Sequence, residues 1–440
     1  MLSWRYRNIL IPKQLERPPE MKDWLRSQAT SVLRSNAWRR ASTWIRGYRA
    51  PAAGHEIHDV KVPADIVAYF GDSDEKIYQL EQWLPVLEEL NKSHRVVLIF
   101  RKLNALRALK RKTHLQKVFI RRFDDLITMY YENEYVLGLY VNNGVTNFQS
   151  LSYPQMVHVH VNHGESDKIS MVSNQAKAYD KVFVAGQAAI ERHRRALIDF
   201  DEDALVRVGR PQLDIPRESS LPPSNKRTIL YAPTWEGENE SNNYTSIDLY
   251  GPEIVEAALA LPNVRLVYKP HPRVQDSSDE TIAEADDRIR TLIHEANAEG
   301  GQHLIEMQGD ILGMFDDVSL LITDISSVGL DFLYLHPETP LVLTDRRTQR
   351  SKLHTESPIS RAAPILDAST IGQAKEMLND LLGQDEFAAP RLEMRDFYFG
   401  MGETGSSTRK FFEAIGQLIA ERKAQLRSYD VEGSNMEAED

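Results

Sequence analysis

Cysteine is absent from the 440 residues. Its absence removes disulfides, thiolate nucleophiles and cysteine-ligated zinc together. No stretch approaches the roughly 18–20 consecutive apolar residues that a membrane-spanning helix needs. The opening MLSWRYRNILIPKQ has no apolar core followed by small residues, so it does not read as a secretory signal. A Gly-rich Walker loop is missing too, which argues against an ordinary ATPase. What remains is the composition of a soluble protein, 42% apolar and 27% charged, in a chain long enough for two domains. A cytoplasmic protein is the simplest expectation.

The net charge of −11 hides an asymmetry: residues 1–50 hold eleven Lys and Arg against three Asp and Glu, a local +8 that leaves −19 for the rest. Four of the six tryptophans (Trp4, Trp24, Trp38, Trp44) lie in that segment. Met21, Trp24, Leu25 and Val32 share one helical face. Trp38, Ala41, Trp44, Ile45 and Tyr48 share another, out of phase with the first. A basic helix with an aromatic face suits an anionic membrane surface, and equally suits packing on the body of the protein. No nucleic-acid motif accompanies the charge, so nucleic acid is not an expected partner.

From residue 64 onward, short apolar runs alternate with amphipathic stretches. Strands are predicted at 64–70, 95–100, 135–141, 156–161, 181–186 and 205–209. After the proline-rich IPRESSLPPSNKR (215–227), which reads as a linker, they resume at 228–233, 264–270, 319–324 and 340–345. Near-continuous apolar strands separated by helices indicate parallel sheets covered on both faces. The expected architecture is α/β: two doubly wound Rossmann-type domains, 51–214 and 228–407, facing a cleft, followed by a helix at 408–428 and an acidic, disordered tail at 429–440.

In such sheets ligands bind outside the carboxyl ends of the strands, and three strands of the second half end in polar loops. YAPTW places Thr234 after a proline. YKPHPR places Lys269 and His271 before prolines, so the histidine is stiffly presented. LLITDISSVGL places Thr323, Asp324, Ser326 and Ser327 where strand becomes helix, and a helix start is a ready phosphate site. Together they describe a diphosphate pocket.

YAPTW, KPHP and TD-x-SS in this order resemble the CDP-glycerol:poly(glycerophosphate) glycerophosphotransferase family, across roughly residues 155–415. The resemblance implies a GT-B-like fold, with acceptor on the first domain and donor on the second, and attachment to the inner face of the cell membrane without spanning it. It also implies transfer of glycerol phosphate from CDP-glycerol (or ribitol phosphate from CDP-ribitol) to a lipid-linked polyol-phosphate acceptor, with release of CMP and no cofactor. The family's HG-T-P-x-K motif matches at His163, Gly164 and Lys168, which makes His163 the implied base. Glu165 and Ser166 depart from its Thr-Pro. Lys168 is implied to neutralise acceptor phosphates or support His163, and His271 to bind the pyrophosphate with Ser326 and Ser327. GRPQLD (209–214) has Gln212 where Arg is usual, Glu236 stands where Arg is frequent, and Arg409 in GSSTR matches a C-terminal element.

The stretch HVHVNH (158–163) also admits a metal reading, one residue from the H-x-H-x-D-H of metal-dependent hydrolases. Asn162 replaces the charged Asp, no ligand set follows with metal spacing, and no metal is expected. DSD (72–74) reads as a solvated acidic loop. The rival readings are a GT-B glycosyltransferase using a nucleotide sugar, a metal-dependent hydrolase, and an inactive membrane-associated scaffold.

Overall fold

The computed structural model describes residues 61–436, apart from 169–170, 238–239, 308, 348, 401 and 403–404. The basic tryptophan-rich segment 1–50 and the last four residues lie outside the described residues.

Two parallel sheets carry the fold. The first holds β1 (Ile66–Phe70), β2 (Val96–Phe100), β3 (Gln116–Phe119), β4 (Leu137–Tyr140), β5 (Val157–His160), β6 (Lys181–Val184) and β7 (Leu205–Arg207), in the order β3-β2-β1-β4-β5-β6-β7. The second holds β8 (Arg227–Ala232), β9 (Val264–Tyr268), β10 (Leu304–Ile305), β11 (Leu320–Asp324), β12 (Leu341–Thr344) and β13 (Ile365–Leu366), in the order β10-β9-β8-β11-β12-β13. Every residue of β1, β2, β9 and β11 is buried, because helices cover both faces. Each aliphatic side chain so buried contributes about 1.5–3 kcal/mol.

All ten expected strands are present. The sheets add three that the apolar pattern did not mark: β3, β10 and β13. All three are edge strands. β3 reads QKVF with only Phe119 buried, and the other two have two residues each.

Strand order reverses between β1 and β4 and between β8 and β11, which opens a crevice at the carboxyl edge of each sheet. Helix α1 (Gln187–Ala196) follows β6, α2 (Ser327–Leu335) follows β11 and α3 (Arg350–Glu356) follows β12. The chain then returns to the first domain. Helix α4 (Ala388–Phe399) lies so close to the start of α1 that a Cβ on Gly186 would sit 2.3 Å from the Tyr398 carbonyl oxygen. Helix α5 (Ser406–Met436) starts before and ends beyond the 408–428 of the sequence reading. Its Phe411, Ile415 and Ile419 are buried in the first domain's core, with the Phe411 ring 5.3 Å from that of Trp83. Gly209, at φ +74°, accepts Ser407 against its backbone where the connection between the two sheets (208–226, here the hinge) meets α5; a side chain there would be strained as well as crowded.

Candidate functional site

The first-domain side of the cleft is built by the turn after β5. Asn162 takes a positive φ of 52°, which asparagine tolerates. Its side-chain oxygen accepts the His163 N–H at 2.8 Å, and its carbonyl accepts the Trp83 indole N–H. His163 is half-buried, with Tyr78 edge-on at 5.9 Å between ring centroids. Burial, then the Arg210 charge, lowers its pKa to about 4, while a hydrogen bond to the Val141 carbonyl pulls the other way. Nδ1 is enclosed and has no hydrogen-bond partner.

The other two histidines of the stretch pack. His158 is hydrogen-bonded through both ring nitrogens, to the Tyr140 hydroxyl and the Tyr153 carbonyl, each at 2.8 Å. His160 stacks on Tyr179 at 5.1 Å and 26°, and burial lowers its pKa to about 3. Among the described residues no three acidic or histidine side chains converge as a metal site would require.

Past Gly164 the loop is clamped from below. Arg192 on α1 binds Glu165 at 2.6 Å and Asp167 at 2.9 Å. Asp167 also accepts the Tyr398 hydroxyl from α4. All three charged groups are largely buried, where charge-assisted bonds are strongest. Ser166 accepts the backbone N–H of Lys168 at 3.2 Å. The two positions that depart from the family motif are therefore the ones that fix the loop and aim Lys168.

On the second-domain side, Asp324 ends β11 fully buried. It accepts the Thr234 N–H at 2.6 Å across the reversal point and the Thr344 hydroxyl at 2.5 Å. Burial raises its pKa to about 6, against the pull of hydroxyls, the Thr234 N–H and Lys168. Thr323 is equally buried, and its hydroxyl donates to the Ala232 carbonyl at 2.7 Å. Thr323 and Asp324, read from sequence as phosphate ligands, instead tie the loops after β8, β11 and β12 together. The strand end lies between two neighbouring strands, and both side chains satisfy groups there.

Ser326 caps α2 by accepting the Val328 N–H at 3.3 Å, and Ser327 opens the helix, so the dipole and free N–H groups face the cleft edge. His271 donates its backbone N–H to the Pro233 carbonyl at 3.0 Å, and its Nδ1 accepts the Arg273 N–H at 3.2 Å. The ring proton is thus on Nε2, a donor suited to an anion. Burial, then Lys168, Arg273 and Lys269, lowers the His271 pKa to about 4. Trp235 backs His271 at 6.1 Å, with the Arg273 guanidinium 4.4 Å over its ring. Lys269 is buried, with its ammonium 3.4 Å from the Met307 carbonyl, and burial lowers its pKa.

The two sides meet. Lys168 donates to the Thr234 hydroxyl at 3.2 Å. A Cβ on Gly164 would lie 3.8 Å from the Ser327 Cβ, so the His163 turn abuts the start of α2. Arg210 spans the cleft, donating to the His163 carbonyl at 3.4 Å and to Asp331 on α2 at 2.9 Å. His163, Lys168, Thr234, Lys269, His271, Ser326 and Ser327 are brought to one cleft. Arg409 is not: it is exposed on the first turn of α5, where the neighbouring Thr408 N–H bonds Asp214 at 2.6 Å beside the hinge.

Arg210, Asp331, Arg192 and Tyr244 escaped the sequence reading. GRPQLD holds Arg210, but Gln212 drew attention as the departure; Gln212 is buried with both amide atoms unpartnered. Asp331 sits one turn past the helix-start serines on an apolar helix, and that isolated charge was its signal.

The fold is shared by solved structures at low identity. The wall teichoic acid polymerase TagF superposes with a TM-score of 0.50 at 14% identity, over 92% of this chain and 98% of that one. UDP-GlcNAc 2-epimerase from Neisseria meningitidis bound to UDP-GlcNAc gives 0.52 at 12%, over 81% and 100%. The glycotransferase of kitacinnamycin gives 0.51 at 12%, over 81% and 99%. The two parallel-sheet domains are GT-B-like. No curated protein matches the chain in sequence. Together with the fold, the family comparison supports a transferase of the glycerophosphotransferase type: residues 139–343, which run from the end of β4 through the His163 loop, the hinge and the second sheet to β12, match the CDP-glycerol:poly(glycerophosphate) glycerophosphotransferase family.

Proposed function

We propose that the protein transfers glycerol phosphate from CDP-glycerol to a hydroxyl of a lipid-linked polyol-phosphate acceptor, releasing CMP. The observation that carries this reading is the meeting of Gly164 with Ser327 and of Lys168 with Thr234. It sets a neutral histidine on the acceptor side against an anion pocket on the donor side.

The acceptor oxygen attacks the distal phosphorus. The new P–O bond forms as the bond to the CMP oxygen breaks, and the acceptor proton passes to the His163 imidazole. A base already neutral at pH 7 needs no prior deprotonation, and such a base is worth about 10²–10⁴ in rate. The Nε2–H of His271, the Ser327 end of α2, and the ammonium groups of Lys168 and Lys269 stabilise charge on the diphosphate and the departing CMP. One preorganised donor of this kind is worth about 3–4 kcal/mol. Arg210 contributes by holding the His163 turn against α2.

The lipid acceptor calls for a peripheral position on the inner face of the cell membrane, with the basic segment 1–50 on its anionic surface. No helix among the described residues is long and apolar enough to cross a membrane.

The test is CMP release from CDP-glycerol with a lipid-like glycerol phosphate acceptor. Acceptor-dependent release by the wild type, lost in His163→Ala and His271→Ala, supports the reading. Release only from CDP-ribitol, or turnover only of a nucleotide sugar, replaces the donor. Full activity in His163→Ala removes the base.

A further inference from the structure

Three cations act on His271: Lys168, Arg273 and Lys269. Two of them are matched within the protein. Lys168 has the charge of Asp324 and lies 5.3 Å from the Tyr244 ring centroid. Lys269 has the charges of Glu306 and Asp310 and the carbonyl of Met307. Arg273 is not matched. Its side chain is half-buried, yet its guanidinium makes no hydrogen bond or ion pair among the described residues.

An aromatic face holds it instead. The guanidinium lies 4.4 Å over the Trp235 ring, and Trp235 packs against the apolar core of the second domain. The backbone is fixed as well: the Arg273 N–H donates to Nδ1 of His271 at 3.2 Å, and Pro272 opens the turn Pro272–Asp276 that carries the residue. Stacking orients the flat guanidinium without spending its N–H groups. An arginine so oriented beside a phosphate pocket is ready to take an anion through two parallel bonds.

Position and charge say which phosphate. The phosphorus under attack faces His163, where the two sides meet at Gly164 and Ser327 and at Lys168 and Thr234. The phosphate that stays with the nucleoside then lies on the second-domain side of that junction. Trp235 and Arg273 stand there, on the loops after β8 and β9. Each phosphate of the donor carries one negative charge. When the bond to the distal phosphorus breaks, the oxygen left on the nucleoside monophosphate keeps the electron pair, and that phosphate approaches about two charges at neutral pH. The unmatched cation answers the charge that appears in the reaction.

We infer that Arg273, stacked on Trp235, binds the phosphate that leaves with the nucleoside. The inference rests on the transfer reading above and adds a leaving-group contact to it.

CMP and cytidine, which differ only in the phosphate, are the probes. Each is titrated into the full chain by calorimetry at neutral pH, alongside CDP-glycerol. Arg273→Met keeps an unbranched stem over Trp235 and removes the guanidinium, Arg273→Lys keeps a charge without the fork, and thermal melting of each variant controls for folding. Arg273→Met is expected to weaken CMP about tenfold, the loss of one charge-assisted bond, while cytidine affinity stays within about twofold. Arg273→Lys is expected to recover part of the loss. No CMP binding by the wild type, unchanged CMP affinity in Arg273→Met, or an equal loss for cytidine overturns the inference. Weakening of CDP-glycerol alone assigns Arg273 to the distal phosphate and overturns it too. Wild-type CMP release from CDP-glycerol is scored separately. A chain that binds CMP through Arg273 but releases none from CDP-glycerol loses the transfer reading and keeps the phosphate site; one that releases CMP, with CMP affinity unchanged in Arg273→Met, keeps the reading and loses the site.

Discussion

The pH dependence of His163 turns the site geometry into a number. An unperturbed imidazole titrates near pH 6.5 and would be about 3% neutral at pH 5. His163 is held at about 4 by burial and by Arg210, so at pH 5 about nine tenths of it remains a competent base. The expected acid limb of kcat/KM, which reports the free enzyme, therefore falls near pH 4, and at pH 5 the neutral fraction of His163 is about thirtyfold that of an ordinary histidine.

The perturbation that tests the cause is Arg210→Gln combined with Asp331→Asn. It removes the cation while sparing Asp331, its partner at 2.9 Å, from being left charged and buried. A nearby cation disfavours the imidazolium, so its removal raises the pKa, and the acid limb moves toward neutrality. Burial persists, so the limb stays below 6.5. The assay is CMP release from pH 4 to 8, paired with an NMR titration of the His163 ring, which does not depend on turnover. His271 also lies at about 4, so His271→Gln assigns the resonances. An acid limb near 6.5 in the wild type, or one that ignores the Arg210 change, refutes the reasoning.

Three further outcomes are expected. A diphosphate next to His271 favours its protonated form, so CDP-glycerol affinity should tighten as pH falls from 7 toward the free value of about 4, with net proton uptake by calorimetry; pH-independent affinity refutes protonation of His271 on binding and leaves it a neutral Nε2–H donor. Arg192→Met leaves Glu165 and Asp167 buried without their cation and should cost about 3–5 kcal/mol in denaturant titrations; adding Glu165→Gln and Asp167→Asn should restore most of it, and an equal loss in the triple variant rejects the clamp. His160 has a folded pKa of about 3, below its unfolded value of about 6.5, so its stabilising contribution is present above pH 6.5 and is lost as pH falls toward 3. By pH 4 the loss is about 3 kcal/mol; His160→Phe should flatten that part of the stability curve, and parallel curves would rule out the assignment.

The two-sheet fold was legible because its central strands are buried on both faces and read as continuous apolar runs, as VVLIF at 96–100 does. The edge strands β3, β10 and β13 were not, since a short or half-polar edge leaves no run to see. The cleft residues Thr234 and His271 were legible from turn chemistry at strand ends, and His163 and Lys168 from the resemblance of their stretch to a family motif. Direction was not: a hydroxyl or carboxylate at the end of a strand can face ligand or neighbour. For Thr323 and Asp324 the bonds to Ala232, Thr234 and Thr344 decide it. The clamp on Glu165 was not legible for a related reason: its partner Arg192 is 27 residues away, and Tyr398, which completes the clamp, is 231 residues from Asp167; such separations leave no local signature.

The site divides its labour between protons and charge. Both cleft histidines, lowered to about 4, are neutral at pH 7, and Nε2 of His271 bears the donor proton. Positive charge comes instead from Lys168 and Lys269 and from the start of α2. If the histidines supplied the charge, burial would force each to be either a poor base or a costly cation. Lys168 shows how the fold carries that cost: burial lowers its pKa, and Asp324 restores part of it. Asp324 is held through Thr234 and Thr344 and is fixed before any substrate arrives. A buried carboxylate beneath a phosphate pocket would otherwise repel its ligand. Here its charge favours the ammonium of Lys168, which reaches from the first domain to the Thr234 hydroxyl, so the contact between the two sides of the cleft also places positive charge in the pocket.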